Sequence, residues 1–114
     1  MHTLEMQDPK LEGRRAGLFR GLSEPSRLRI LHALAPGPLT VSELARSTGL
    51  TQPNTSNHLA CMLGCGLVVR ERDGRFAYYR HADHGIAILL SVADRILSRT
   101  DPDSPGCPHC GTAF

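Results

Sequence analysis

At 114 residues the chain has the size of one small domain and room for a modest hydrophobic core. Apolar residues make up 40% and aromatic ones 4% of it, a globular rather than a disordered composition. No apolar run approaches the roughly 20 residues that cross a bilayer, and a net charge of +2 announces no polybasic tail.

The kind of cation is more telling than the sum, because only Lys10 among the 13 basic side chains is lysine. Arginine is the planar, bidentate donor suited to phosphates and guanine edges, although a genome that favours arginine codons accounts for the bias equally well. The stretch Met1–Asp8 has neither a basic nor an apolar segment of a secretory signal, which points to the cytoplasm. Paired cysteines in that compartment are more often metal ligands or redox groups than structural disulfides.

In chain order, residues 9–22 read as a first helix with Leu11, Leu18 and Phe19 as its apolar positions. Ser23-Glu24-Pro25 opens a second, in which Leu28, Leu31 and Ala35 form a stripe beside Ile30 and Leu34, and Pro36-Gly37-Pro38 ends it. Thr40 and Glu43 make a capping box for a short third helix with Val41, Leu44 and Ala45 inward, closed at Gly49. Thr51 caps a fourth helix that carries Pro53 in its first turn, turns Leu59 and Leu63 inward, and frays at Gly64 and Gly66. A short helix, a glycine-bearing turn and a second helix make a helix-turn-helix.

Two β-rich runs, 67–72 and 75–81, are joined by Asp73-Gly74, a strong hairpin signal. A hairpin directly after the recognition helix is a wing. Asp83 is expected to cap a last helix from His84 to about Arg99, with a broad apolar face of Ile86, Leu89, Leu90, Ala93, Ile96 and Leu97. The expected fold is therefore mainly α with a β-hairpin, a winged helix-turn-helix of order α-α-α-α-β-β-α over residues 1–100. Residues 101–114 form a Pro/Gly-rich tail.

In such a fold the first residues of the second helix meet base edges in the major groove. Here they are Gln52, Asn54, Thr55, Ser56, Asn57 and His58, polar side chains that both donate and accept, with few charges among them. Arg72 and Arg75 flank the hairpin turn, where they would reach phosphates or the minor groove and fix register rather than sequence. An ordinary polar helix face and solvated wing charges are the plain alternatives.

The stretch from Leu44-Ala45 through Gly49-Leu50-Thr51-Gln52-Pro53-Asn54-Thr55-Ser56-Asn57-His58-Leu59 resembles the helix-turn-helix of the ArsR/SmtB family of metal-sensing repressors. Leu22-Ser23-Glu24-Pro25-Ser26-Arg27-Leu28 resembles that family's second-helix opening. The run from Ser56 to Cys61 and on through Cys65-Gly66-Leu67-Val68-Val69 is similar to the family's CmtR-type cadmium/lead sensors. The resemblance implies a homodimer on a palindromic operator, built through the first and last helices. The apolar face of the last helix supports a dimer by itself, because a small domain is unsuited to burying that whole stripe alone.

Cys61 and Cys65 are four apart on a helix, so they share a face one turn apart and offer two sulfurs to one ion. Cys107 and Cys110 form a Cys-Pro-His-Cys knuckle of the kind that holds zinc. Either pair alone leaves an ion underligated, and together they complete a tetrahedral thiolate shell. Soft thiolates favour Cd(II), Pb(II), Zn(II) or Cu(I) over hard cations. The resemblance implies the helix pair plus one tail cysteine of the opposite subunit, so one tail thiol, both, or His109 as a substitute remain open.

Other sites of the resembled family are missing or dismantled. Thr40-Val41-Ser42 stands where one subtype has Cys-Val-Cys. Asp83 matches the first ligand of another subtype's site, but the later positions fall on Gly85, Ile96 and Arg99. No cysteine occurs in Thr3-Leu4-Glu5-Met6, and His2, His32, His58, His81 and His84 are not expected to be ligands. The expected function is a repressor that leaves double-stranded operator DNA when Cd(II) or Pb(II), with Zn(II) a further candidate, binds the thiolates. A thiol redox switch and a structural-zinc interaction module that does not bind DNA are the competing readings. No phosphate loop or catalytic constellation suggests an enzyme.

Overall fold

The computed structural model describes residues 8–104, 106 and 107; Cys110 and His109 of the knuckle lie outside them. The contacts divide the chain into two compact units, Met1–Asp83 and His84–Phe114.

The first unit begins with α1, Pro9–Leu22. The Asp8 carboxylate accepts the Lys10 amide at 3.0 Å, and Pro9 occupies a position where a missing N–H is harmless. Little of α1 is covered: Gly21 is its buried residue, Leu11 and Leu18 are half-buried and Phe19 is 54% exposed. In α2, Pro25–Leu34, the cap is Glu24; its carboxylate accepts the amides of Ser26 and Arg27, both at 3.1 Å. Ile30, Leu31 and Leu34 enter the core, whereas Leu28 is half-buried and Ala35 sits exposed at the C-cap, just before Pro36.

The capping box of α3, Val41–Thr48, has both halves: the Thr40 amide donates to Glu43 at 2.9 Å and the Glu43 amide to Thr40 at 3.2 Å. Leu44 and Ala45 point inward, and the helix stops at Gly49. Thr51 then caps α4, Gln52–Gly64, its hydroxyl accepting the Asn54 amide at 3.2 Å. The buried stripe of α4 is Thr55, Leu59 and Met62, at i, i+4 and i+7, while Leu63 is only half-buried. Its end does not fray. Leu67 donates to the Met62 carbonyl at 3.0 Å and Gly66 to Leu63 at 3.2 Å, with Gly66 at φ 78°, which is a Schellman closure.

The wing pairs β1, Val68–Asp73, antiparallel with β2, Phe76–His81, from Val68 opposite His81 to Asp73 opposite Phe76. The two-residue loop is thus Gly74-Arg75, one place later than the Asp73-Gly74 dipeptide suggests. Gly74 has φ 65°, and no non-glycine residue among those described has a positive φ. A positive φ at the first loop residue alone is the type II′ pattern, which demands glycine there. Leu39 forms an isolated bridge with Tyr79, the two amides donating to each other's carbonyls at 3.0 and 2.8 Å. His81 Nε2 lies 2.7 Å from the Leu31 carbonyl and so must carry a proton to donate, which ties the end of β2 to α2. Ile30, Leu31, Leu34, Leu44, Leu59, Met62, Leu67, Val68 and Tyr79 make the core.

The second unit is α5, Gly85–Leu97, with its following turns. Its N-cap is His84, which makes no side-chain cap bond, rather than Asp83; it ends at Leu97, two residues short of the expected Arg99. Ile86 and Leu90 are buried, Leu89 is half-buried, and Ile88, Ile96 and Leu97 are more than half exposed. The element order α-α-α-α-β-β-α matches the expected winged helix-turn-helix. Among the described residues no helix is long and apolar enough to cross a membrane.

Candidate nucleic-acid interface and thiol pair

The helix-turn-helix presents one outward face of α4. Gln52, Asn54, Ser56 and Asn57 are exposed there, and Gln52 is steadied by donating to Ser42 Oγ at 3.1 Å. One turn beyond Asn57 comes Cys61, also exposed, and one turn further Cys65, half-buried at the C-cap. At 1.5 Å of rise per residue, Asn57 and Cys61 are about 6 Å apart along the axis. Exposed polar side chains and a pair of thiols, which are soft donors, therefore follow one another on the same helix.

Three side chains and one glycine shape the surroundings of the thiols. Arg27 Nε donates to the Gly21 carbonyl at 2.8 Å, its Nη2 reaches the Arg20 carbonyl at 3.4 Å, and its Nη1 lies 3.8 Å from Cys61 Sγ. Glu24, which caps α2, approaches His58 Nδ1 at 3.6 Å. Burial pushes the Glu24 carboxyl up, but the amides of Ser26 and Arg27 and the nearby His58 and Arg27 outweigh it and hold the group below its ordinary value. Burial, the neighbouring Cys61 and a hydrogen bond with it raise the Cys65 thiol, against the pull of Arg27 and Arg20. At Gly21 a Cβ would stand 2.9 Å from Leu67 Cδ1 and 3.1 Å from Cys65 Sγ, so α1 passes the thiol closely only because the residue is glycine. Cys65 opens on a groove of about 380 Å³ lined by Arg14, Gly17, Leu18, Gly64 and Gly66.

Residues 24–69 match the bacterial regulatory protein, arsR family. The HTH-type transcriptional regulator CmtR of Mycobacterium tuberculosis is 42% identical over 105 residues, covering 92% of this chain and 86% of the relative. The chain belongs to the ArsR family. It is thus a transcriptional regulator, and its relatives are named as regulators rather than enzymes. The NMR structure of the cadmium metal-sensor CMTR from M. tuberculosis superposes with a TM-score of 0.66 at 42% identity, over 81% of this chain and 96% of that one. A homodimeric winged helix-turn-helix DNA-binding domain from Mycobacterium bovis, a possible ArsR-family regulator, gives 0.72 at 30% identity over 83% and 92%.

Within this ArsR-family regulator the residues singled out from sequence separate. Thr55 faces the core, not the groove: it is fully buried, and its hydroxyl donates to the Thr51 carbonyl at 2.8 Å. That corrects its assignment as a base reader, because position 55 begins the stripe that continues through Leu59 and Met62. His58 is half-buried beside Glu24. Arg72 and Arg75 are exposed at the wing tip. Cys107 is exposed, and Cys110 lies outside the described residues. Among the described residues no three His, Cys, Asp or Glu side chains converge on an ion-sized point. The helix pair accordingly offers two soft donors, a chemistry that fits a soft metal but leaves its shell to be completed. Arg27, Glu24 and Gly21 were not legible as site residues, since nothing local in sequence brings them to the thiols.

Proposed function

We propose that this regulator is a repressor that binds a palindromic operator as a homodimer and releases it when a soft metal ion binds its cysteine thiolates. Gln52, Asn54, Ser56 and Asn57, with His58 at the edge, read base edges in the major groove. Arg72 and Arg75 grip the backbone or minor groove. Cys61 and Cys65 supply two thiolates, and Cys107 and Cys110 of the tail complete the shell around Cd(II) or Pb(II), with Zn(II) a third candidate. The observation that carries the reading is the position of the thiol pair, on the last turns of the helix that meets DNA. Exposed Phe19, Ile88, Ile96 and Leu97 on the first and last helices support the dimer.

When bound, the metal supplies charge and a fixed geometry at the end of α4. The protein's own residues do the rest: Asn57 and its neighbours bind bases, and the Schellman closure transmits any movement of Cys65 into the wing. By linkage, the factor by which metal weakens DNA binding equals the factor by which DNA weakens metal binding.

The test is fluorescence anisotropy of the reduced protein on DNA from its own upstream region, with Cd(II), Pb(II) and Zn(II) titrated anaerobically. Release near one ion per subunit supports the reading, and the order of potency ranks the inducers. Binding that ignores every metal yet collapses on oxidation favours a thiol redox switch, for which two free thiols one helical turn apart are the supporting observation. No binding to that fragment refutes repression at its own upstream region.

A further inference from the structure

Outside the base-reading face and the thiols, the least explained group on this surface is Arg27. Its guanidinium is committed in three directions at once. Nε and Nη2 hold the last carbonyls of α1, those of Gly21 and Arg20, and Nη1 faces the Cys61 sulfur. The side chain therefore joins three helices, since it starts on α2, ends α1 and touches α4. A second contact runs parallel to it: Glu24, the cap of α2, and Arg27 in its first turn are three residues apart, and their partners His58 and Cys61 are three apart on α4. Residues three apart lie on one helix face, so the two contacts form a ladder between the start of α2 and the thiol-bearing stripe.

We propose that Arg27 is a positioning residue of the thiolate site, holding Cys61 in place and carrying metal capture to the end of α1. This rests on the metal-responsive reading above. A divalent ion that takes three thiolates leaves one net negative charge, and four leave two. A permanently charged fork beside the sulfur offsets that excess and donates to it. The guanidinium cannot be drawn closer to the sulfur without loosening its hold on the Gly21 and Arg20 carbonyls. Gly21 in turn passes Cys65 and Leu67 so closely that an added Cβ would stand 2.9 Å from Leu67 Cδ1 and 3.1 Å from Cys65 Sγ, so the strain arrives at the second thiol and at the first residues of the wing. Partners of this outer kind orient ligands and tune the site, and removing them costs about 10- to 100-fold in metal affinity.

The test uses the full-length, reduced protein titrated with Cd(II) against a competing chelator, read by the thiolate-to-cadmium ultraviolet band. Three variants are compared, each corrected for its folded fraction by circular dichroism. Arg27→Gln keeps a donor for the Gly21 carbonyl but removes the charge, and Arg27→Lys restores the charge without the fork. Ser23→Ala removes a different hydrogen bond, 2.8 Å long, to the same Arg20 carbonyl and leaves the sulfur untouched. The expected result is a loss of about 10- to 100-fold for Arg27→Gln with an altered band, partial recovery in Arg27→Lys, and wild-type affinity in Ser23→Ala. Wild-type affinity in Arg27→Gln overturns the proposal while leaving the metal reading intact. So does an equal loss in Ser23→Ala, which makes the helix end the cause. A wild-type protein with no thiolate-to-cadmium band removes the metal reading and this inference together.

Discussion

Gly21→Ala pits two effects of known size against each other. Alanine is favoured over glycine inside a helix by about 1 kcal/mol, so in open space the change stabilises. At Gly21 the new methyl would stand 2.9 Å from Leu67 Cδ1, 3.1 Å from Cys65 Sγ and 3.2 Å from Cys65 Cβ. Leu67 is fully buried and cannot swing aside, and Cys65 Cβ moves only with the backbone that closes α4. Forcing a methylene into such a place costs about 1–3 kcal/mol. The packing cost wins, for a net loss between nearly nothing and about 2 kcal/mol. Gly13 is the internal control, because nothing lies within 4 Å of its added Cβ; Gly13→Ala should gain up to about 1 kcal/mol. The assay is urea unfolding of the reduced, metal-free protein at one fixed concentration, since association shifts apparent stability. Midpoints should move in opposite directions with unchanged slopes. Equal stabilisation by both substitutions would refute the close passage of α1 against Cys65 and Leu67.

Four further outcomes follow from the fold. Thr55→Val should change stability by less than about 1 kcal/mol, because the Thr51 carbonyl still accepts the Thr55 amide at 2.9 Å, and operator selectivity should be untouched. Asn57→Ala, by contrast, should weaken specific binding by about 1–3 kcal/mol if it makes a bidentate base contact; altered selectivity in Thr55→Val would return that residue to the groove. Arg72→Ala and Arg75→Ala should each weaken binding to all sequences and lower the slope of log affinity against log salt by about one, as measured by anisotropy between low and physiological salt. For pH, the Thr40 amide and hydroxyl hold the Glu43 carboxyl below its ordinary 4.5. Its contribution is therefore complete above that value and lost as pH falls through the lower, folded one. The stability gap between wild type and Glu43→Gln should close across that acid window, and a gap that persists at full protonation counts against the capping box as its source.

Local signals were readable in proportion to how local their physics is. The Thr40–Glu43 box and the Thr51 cap need only neighbours in the chain, so spacing predicts them. Thr55 was misread because polarity says nothing about which way a helix turns its side chains; the stripe through Leu59 and Met62 carried that answer. The wing is one residue displaced because Asp-Gly suits a turn in which both residues form the loop, and the strand register from Val68 opposite His81 decides otherwise. Gly66, expected to loosen the end of α4, locks it instead. The surroundings of the thiols were hidden for a different reason. Arg27 meets Cys61 across 34 residues of chain, Glu24 meets His58 and Gly21 passes Cys65, and only the packing of three helices brings them there.

The bridge between Leu39 and Tyr79 has a consequence for how this regulator can change over generations. Leu39 spends both its backbone groups on the wing, and the very next residue, Thr40, caps α3. There is no slack between the two tasks. The side chain at 39 is not what binds, so almost any residue with an amide proton can stand there, and proline cannot. An inserted or deleted residue between 39 and 40 would break the bridge or the cap, whatever its identity. At this junction drift in composition is tolerated and drift in length is not, so the distance from the wing to the start of α3 is inherited as a count of residues.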